Sequence, residues 1–426
     1  MSKTRNTLRA TSIKGWFEMT RETCPICSHT GGCMINTNGD AVACIRIESE
    51  KPFSKNSACP SWLHWLKRNE KKQITTENIQ QENSEKKLSS DSLDTIYRSL
   101  LVNTELSNDH YNHLSGKDRG LSDEQIRIRE YKSFPEKPWN CARLIEKSIG
   151  LKDFTGVPGF YLAKGRNGGS YWNVSGPKGI LIPFRNNKNE IEGFQIRIDN
   201  PPNEIKLKKR DELLHAEVKR QPNIVQVSYE GEILMEKEFT LDENVTIYHE
   251  NNIIGWVTLT KGQRYFWLSS ANKPKGTISG LPAPVHVSVP SSELKDWSVG
   301  ELRRAKSVWL GEGPLKQDIA IDKIVQVYDK EELSDVGTTM LGLPGVGSWR
   351  LAIPILKEMG AERVNICYDM DSVSNVYVQK HLKECIKGLR NEGLQVYISL
   401  WDGKKDGKGI DDLLINKSFP ELRRLV

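Results

Sequence analysis

The sequence predicts a multidomain chain of combined α+β and α/β architecture, and three observations carry that reading. Cysteines crowd the amino-terminal end, at Cys24, Cys27, Cys33, Cys44 and Cys59. Apolar runs broken by glycine turns follow in the middle of the chain and suit hairpins. From Arg304 to Leu414, strand-like and helix-like periods alternate, and an acidic cluster stands where each apolar run stops. Strand, helix, strand requires a parallel sheet with a right-handed crossover. With 426 residues there is enough chain for two or three domains and a substantial core.

Charged residues make up 27% and hydrophobic ones 37%, the balance of a soluble globular protein with some disordered sequence. No apolar run approaches the length of a membrane helix, and the polar start MSKTRNTLRATSIKG has no signal-peptide core. The expectation is a cytoplasmic protein with no membrane partner. The formal charge of +6 barely favours nucleic acid by itself.

Residues 1–66 read as a zinc-binding domain. Its first 23 residues are basic, with Lys3, Arg5, Arg9, Lys14 and Arg21. In Cys24-Pro-Ile-Cys27 the two-residue spacer lets both sulfurs reach one tetrahedral ion, and Asn38-Gly39 is a strong hairpin-turn signal. Cys33 and Cys44 supply the remaining ligands, with Cys59 or His64 able to replace Cys33. A disulfide framework is disfavoured in a cytosolic chain, so structural Zn2+ is the expected cofactor.

Residues 67–90 lack apolar periodicity and are dominated by Glu, Lys, Gln, Asn and Ser, which predicts a flexible linker. Residues 91–300 form the next domain. It opens with helices; Ile96, Leu100 and Leu101 begin one, and Ser122 with Gln125 has the spacing of a capping box. Ile180 to Phe184 and Ile191 to Ile198 flank the turn NNKN, giving a hairpin that carries Arg185 and Arg197. Arg264 and Lys275 lie further on, among hydroxyls and glycines, and this set suits phosphate. Between them, about 200–262 form a β-rich insertion with a basic start, KLKKRDELLHAEVKR.

Residues 301–426 hold the acids. Ser307 to Leu310 reads as a strand ending at Gly311 and Glu312, followed by a helix through Ile319, Ala320 and Ile321. Val364, Ile366 and Tyr368 alternate up to Asp369 and Asp371; Val378, Leu382, Cys385, Ile386 and Leu389 keep helical spacing, and Leu394 to Leu400 is the next strand. Ligands of such sheets bind outside the carboxyl ends of the strands, where Glu312, Asp369, Asp371 and Asp411 are expected to converge. Hard oxygen ligands of this kind suit Mg2+ or Mn2+. Asp412 is expected to cap the helix DLLI. No Gly-x-x-x-x-Gly-Lys-Ser/Thr occurs, so no fused ATP-driven helicase is expected.

These residues carry a resemblance. Glu312-Gly313, Asp369-x-Asp371 and Lys408-Gly-Ile-Asp-Asp412 resemble, in order, the signature elements of the TOPRIM domain shared by DnaG-type primases, topoisomerases and some nucleases. Many primases carry an acid four residues after the glutamate, whereas this chain has Lys316, a candidate phosphate contact. The cysteine segment resembles the zinc ribbon of DnaG-type primases in its phage and mobile-element variant: Cys24 to Cys27, Cys33, Cys44, Arg46, then Leu63-His64, with Gly32 where a tryptophan often stands. The Arg119-Gly-Leu turn resembles the opening of the primase core, and Ile182, Pro183, Arg185, Gly193, Phe194 and Arg197 match its basic amino-terminal subdomain.

The resemblance implies a TOPRIM catalytic domain behind a basic primase-core subdomain and a zinc ribbon. It implies a DNA primase that starts RNA primers de novo on a single-stranded DNA template for a phage, plasmid or mobile element. Nucleoside triphosphates would be its substrates and a separate replicative helicase its partner. Glu312, Asp369, Asp371 and Asp411 would be both catalytic residues and ligands of Mg2+ or Mn2+, while Arg185, Arg197, Arg264, Lys275 and Lys316 would bind nucleotide or DNA. The competing readings are a TOPRIM nuclease and a zinc-anchored replication-accessory DNA-binding protein whose TOPRIM site is inactive. A topoisomerase would need a nucleophilic tyrosine in a separate gate domain, for which the chain is too short.

Overall fold

The computed structural model describes residues 8–11, 13, 15–20, 22–54, 60–66, 79–80, 84–166, 168–280, 283–370 and 376–425. They fall into two compact units. One comprises Met1–Lys51, Trp62–Gln80 and Arg197–Phe266, the other Pro52–Ser61, Gln81–Ile196 and Trp267–Val426.

In the first unit, short antiparallel strands carry the cysteines. Met34–Asn36 and Ala41–Cys44 pair across the expected turn, with Gly39 at φ 68° and Asn36 accepting from the backbone of Asp40 and Ala41. A left-handed residue is what a tight hairpin turn demands, and glycine adopts it without a Cβ clash. Leu8, Met19, Ile35, Val42 and Leu66 form a small core with the thiols of Cys24, Cys33 and Cys44. The same unit contains the β-rich insertion, built from two three-stranded antiparallel sheets. One sheet joins Glu204–Lys209, Asn252–Thr260 and Asn244–His249; the other joins Leu214–Arg220, Ile224–Tyr229 and Glu232–Glu238. Leu214, Val225, Val227, Phe239, Ile247, Val257 and Leu259 are buried in a core of its own.

The expected linker falls largely outside the described residues. Its described parts are engaged: Ile79–Gln80 pairs in parallel with Leu8 and Arg9, while Glu85 and Leu88 donate to the carbonyls of Gly276 and Gly156. Ser90 already opens a helix.

The second unit begins with helices Ser90–Val102, Asn108–Ser115, Asp123–Ile128 and Pro138–Ile149. Ser122 and Gln125 make the expected reciprocal cap. The Gly179–Arg185 and Ile191–Ile198 strands flank a turn with Asn189 at φ 57°.

Downstream lies a six-stranded sheet in the order His286–Ser288, Met340–Leu343, Ser307–Glu312, Arg363–Ile366, Gln395–Leu400, Glu421–Leu425. The inner four are parallel and the outer two antiparallel. Strand residues alternate between two cores. Val308, Leu310, Leu341 and Val364 meet the Ala352–Met359 and Val376–Asn391 helices on one face; Trp309, Met340 and Cys367 meet Ala320, Ile321, Ile324, Leu413 and Leu414 on the other. Burial on both faces is what a crossover sheet requires, and it explains the near-continuous apolar runs.

The Pro314–Val327 helix is fixed on its inner side by a buried ionic network. Asp318 accepts from Arg129 at 2.6 Å, the Tyr131 hydroxyl at 2.6 Å, His286 at 2.9 Å and the Ser288 hydroxyl at 2.5 Å. Asp322, one turn along, accepts from Arg129 at 2.9 Å and from the backbone and hydroxyl of Ser291 at 2.6 and 2.7 Å. The backbone amide of Arg185 donates to Nδ1 of His286, so the imidazole proton lies on Nε2 and points at Asp318. Burial opposes ionisation of Asp318, but Arg129 and His286 outweigh it and hold the carboxyl well below its usual range. A depressed acid stabilises the fold above its unfolded pKa and loses that contribution as pH falls through the folded value. Asp318→Asn removes one of the two carboxylates that balance the buried Arg129 guanidinium and should cost about 3–5 kcal/mol in urea unfolding at pH 7. The penalty should shrink as the comparison is repeated below pH 4; a pH-independent difference would refute the ionic account.

Candidate active site and metal centre

The amino-terminal cysteines form a preorganised tetrad. Cys24, Cys33 and Cys44 are fully buried, and the ligand atoms of all four cysteines lie within 4.8 Å of one another. Sγ of Cys33 is 3.7 Å from those of both Cys27 and Cys44. A tetrahedral zinc with bonds of about 2.3 Å spaces its sulfurs by roughly 3.8 Å, so the cluster is compatible with structural zinc. Donors surround the sulfurs: the amides of Arg46 and Ile47 approach Cys44 at 3.4 and 3.3 Å, and the Arg46 guanidinium approaches Cys33 at 3.5 Å. Such contacts stabilise thiolates around a cation. Nε2 of His64 meets the carbonyl of Ile47 at 2.9 Å, and Cys59 lies outside the described residues.

The acidic site is built at the carboxyl edge of the parallel sheet. Ser307–Glu312 and Arg363–Ile366 are neighbours with Leu310 opposite Ile366, so Glu312 and Asp369 emerge at the same edge. Gly311 leaves room there for the Gln317 amide, whose Nε2 would lie 2.4 Å from a Cβ. Gly313, at φ 81°, turns the chain into the Pro314–Val327 helix and places Lys316 in its first turn. Asp411 is in the first turn of the Ile410–Ile415 helix and is 1% exposed. Asp412 accepts from the amide of Gly409 at 3.0 Å, the expected cap.

Lys316 stands among these acids. Its Nζ is 2.5 Å from Oδ2 of Asp369, with Lys408 at 3.8 Å from the same oxygen. Burial lowers the Lys316 pKa, but Asp369, Asp411 and Glu312 overcome this and leave it raised. Asp411 receives Nη1 of Arg119 on Oδ2 at 3.0 Å, while its Oδ1 is buried with no hydrogen-bond partner. Burial, then Asp412, push its pKa up to about 6 against the pull of Lys316 and Arg119. Both Oδ1 of Asp411 and Oδ1 of Asp369 border the space beside Gly409, 2.3 and 3.6 Å from where a Cβ would sit.

The four predicted acids are therefore placed as follows. Glu312, Asp369 and Asp411 share one edge and act electrostatically on Lys316. They do not close around a single point as the cysteines do: among the described residues the tetrad is the only compact set of three or more metal-binding groups. Asp371 lies outside the described residues. The donors present fit a hard cation, because Asp411 keeps a buried carboxylate oxygen without a proton donor and an Asp369 oxygen lies near the same glycine.

The predicted phosphate ligands differ in exposure. Arg185 is 3% exposed, with its guanidinium committed to Glu130 at 2.7 Å, so it fixes the hairpin against the helical segment. Lys275 is exposed, at φ 52°, with Nζ 3.9 Å from Asp153. In the other unit, Arg197 is half-buried and Arg264 exposed. Arg119 was not among the predicted site residues; the Arg-Gly-Leu turn signalled the segment but not its contact with Asp411.

A family model described as a domain of unknown function, DUF3854, matches residues 332–420. No curated protein matches the chain. Among solved structures, the chain is similar to the zinc-binding and RNA polymerase domains of the Aquifex aeolicus primase, with 12% identity and a TM-score of 0.38, over 97% of this chain and 81% of that one. It is also similar to a DnaG primase catalytic domain bound to ssDNA, at 11% identity and TM-score 0.36 over 78% and 81%. The RNA polymerase domain of Mycobacterium tuberculosis primase DnaG gives 11% and 0.38 over 77% and 82%. No helix among the described residues is long and apolar enough to cross a membrane.

Purified protein is expected to carry one zinc per chain by metal analysis. Cys24→Ser or Cys33→Ser should release it, and His64→Ala or Cys59→Ser should not; zinc loss in either of the latter would redraw the ligand set.

Proposed function

We propose that this chain is a DNA primase of the DnaG type, making short RNA primers on single-stranded DNA by metal-dependent nucleotidyl transfer. The observation that carries the reading is the unpartnered Oδ1 of buried Asp411, which shares the surroundings of Gly409 with Asp369 at the edge where a crossover sheet presents its ligands. The TOPRIM-like order of Glu312, Asp369, Asp371 and Asp411 and the cysteine tetrad support it.

Asp369 and Asp411, with Glu312 and Asp371, would hold Mg2+ or Mn2+. Such a cation, when bound, lowers the charge barrier on a triphosphate and activates the attacking 3′-hydroxyl. Arg119 occupies Oδ2 of Asp411, which leaves Oδ1 without a hydrogen-bond partner. Lys316 supplies a fixed positive charge beside Asp369, reduces repulsion among the acids and offers a donor to a nucleotide phosphate. Of the predicted phosphate ligands, exposed Arg264 and Lys275 would meet template phosphates. Zinc in the tetrad would order the domain at residues 1–66 for template engagement. On this reading the TOPRIM domain spans 301–426 and the basic subdomain 91–300. The setting is cytoplasmic replication of a phage, plasmid or mobile element beside a separate helicase.

Lys316 also favours a second reading, a zinc-bearing DNA-binding protein whose TOPRIM site is inactive, since an ammonium already balances part of the acidic charge. Radiolabelled ribonucleotides, Mg2+ or Mn2+ and mixed-sequence single-stranded DNA separate the two. Short de novo RNA is expected from the wild type and none from Asp369→Ala, with DNA retention largely intact; retention without products would favour the binding protein. Independently of turnover, Mn2+ should raise the melting temperature of the wild type and not of Asp411→Asn. An equal metal-induced shift in both would remove Asp411 from the site.

A further inference from the structure

The β-rich insertion has no role in the reading above, and its outer face has the composition of a binding surface. Inward residues of Glu204–Lys209, Ile205 and Leu207, pack on the insertion core, so Lys206 and Lys208 face outward, followed by exposed Arg210. Outward positions along a strand repeat at about 7 Å, close to the separation of successive phosphates in an extended single strand. Register fixes their neighbours: Lys206 stands opposite Thr258 and Asn244 in turn, and Lys208 opposite Trp256 and then Thr246. Lys208 and Arg210 both lie over the Trp256 ring, at 5.1 and 4.9 Å from its centre. The indole thereby supports both aliphatic stems and holds two charged heads at fixed spacing. Tyr248, on the adjacent strand of the same sheet, is 58% exposed.

The two sheets of the insertion differ in charge. Glu204, which ends the basic row, is the only acid within the strands of this sheet, whereas the other sheet mixes Glu217, Glu232, Glu236 and Glu238 with Lys219, Arg220 and Lys237. A surface of cations, hydroxyls, an amide and aromatic rings on a short-stranded sheet complements a phosphate backbone with unpaired bases. Duplex would satisfy the cations but leave the rings without a stacking partner.

We infer that the outer face formed by Lys206, Lys208, Arg210, Trp256 and Tyr248 is a binding site for single-stranded nucleic acid, separate from the acidic site. The cations take successive phosphates, and Tyr248 supplies a stacking face for a base. The chemistry is shared by template DNA and RNA product, so both are tested.

Fluorescein-labelled oligo(dT) and oligo(U) are titrated against the full chain by anisotropy across a salt series. Single strands lose roughly 0.7 of slope in log K against log salt per neutralised phosphate, so the variant combining Lys206→Ala, Lys208→Ala and Arg210→Ala should lower the slope by about 2 and weaken binding at least tenfold. Tyr248→Ala, at an exposed position, should weaken binding about tenfold with the slope unchanged. Preference for one oligomer identifies the strand that the site takes. Unchanged affinity and slope in both variants overturn the inference, as does equal displacement by poly-glutamate in wild type and Tyr248→Ala, which would mark an acidic-protein site. Failure of the wild type to make primers would leave these binding outcomes standing.

Discussion

The catalytic proposal depends on the orientation of one helix, and that orientation is set by charges no solvent reaches. Arg129 is 2% exposed, and it bridges Asp318 and Asp322 on successive turns of Pro314–Val327. A helix held only by apolar packing can slide or rotate over its sheet at modest cost. One whose carboxylates must meet a forked guanidinium, a phenol, an imidazole and two hydroxyls has a single register, because any displacement leaves buried charge unpaired. Lys316 extends from the first turn of that helix. Its distance from Asp369 is consequently fixed by contacts on the helix's other side.

The acids at the sheet edge pose the opposite problem. They repel, and the described structure relieves the repulsion with Lys316 beside Asp369 and Arg119 on Asp411. Neither cation satisfies every oxygen. Where a primase pattern would place an acid four residues beyond the glutamate, lysine changes the local charge by two units, so less external cation is needed to neutralise the edge. The same exchange gives the site a permanent donor for phosphate.

Much of this arrangement is legible in the sequence. Alternation at Ser307 to Leu310 and Val364 to Tyr368 marks strands, and because parallel neighbours end together, Glu312 and Asp369 can be placed on one edge before any coordinates. The cysteine spacing likewise marks the Cys24–Cys27 pair, while Cys33 is separated from Cys59 and His64 only by the structure. Partnerships between distant segments are not legible. Nothing local distinguishes Arg185, whose guanidinium is buried on Glu130, from Arg264, which is exposed. Nor does the turn at Arg119 announce a carboxylate 292 residues away. The edge strand His286–Ser288 escapes periodicity because it has three residues, and Glu421–Leu425 because three of its five residues are charged.

Asp318 and Asp411 show how two equally buried carboxylates acquire different meanings. Desolvation pushes both toward the neutral form, and the outcome is decided by the donors each finds. Asp318 has both oxygens engaged and is depressed; Asp411 has one oxygen engaged and is raised to about 6. A satisfied buried ion is a structural fastening, complete within the chain. An unsatisfied one costs stability in the absence of a ligand, and a fold retains it without penalty only if a positive charge arrives from outside. The unpartnered oxygen of Asp411 lies against Gly409, with an Asp369 oxygen nearby, and a side chain at Gly409 would collide with it, so on the catalytic proposal this is where such a charge would be held.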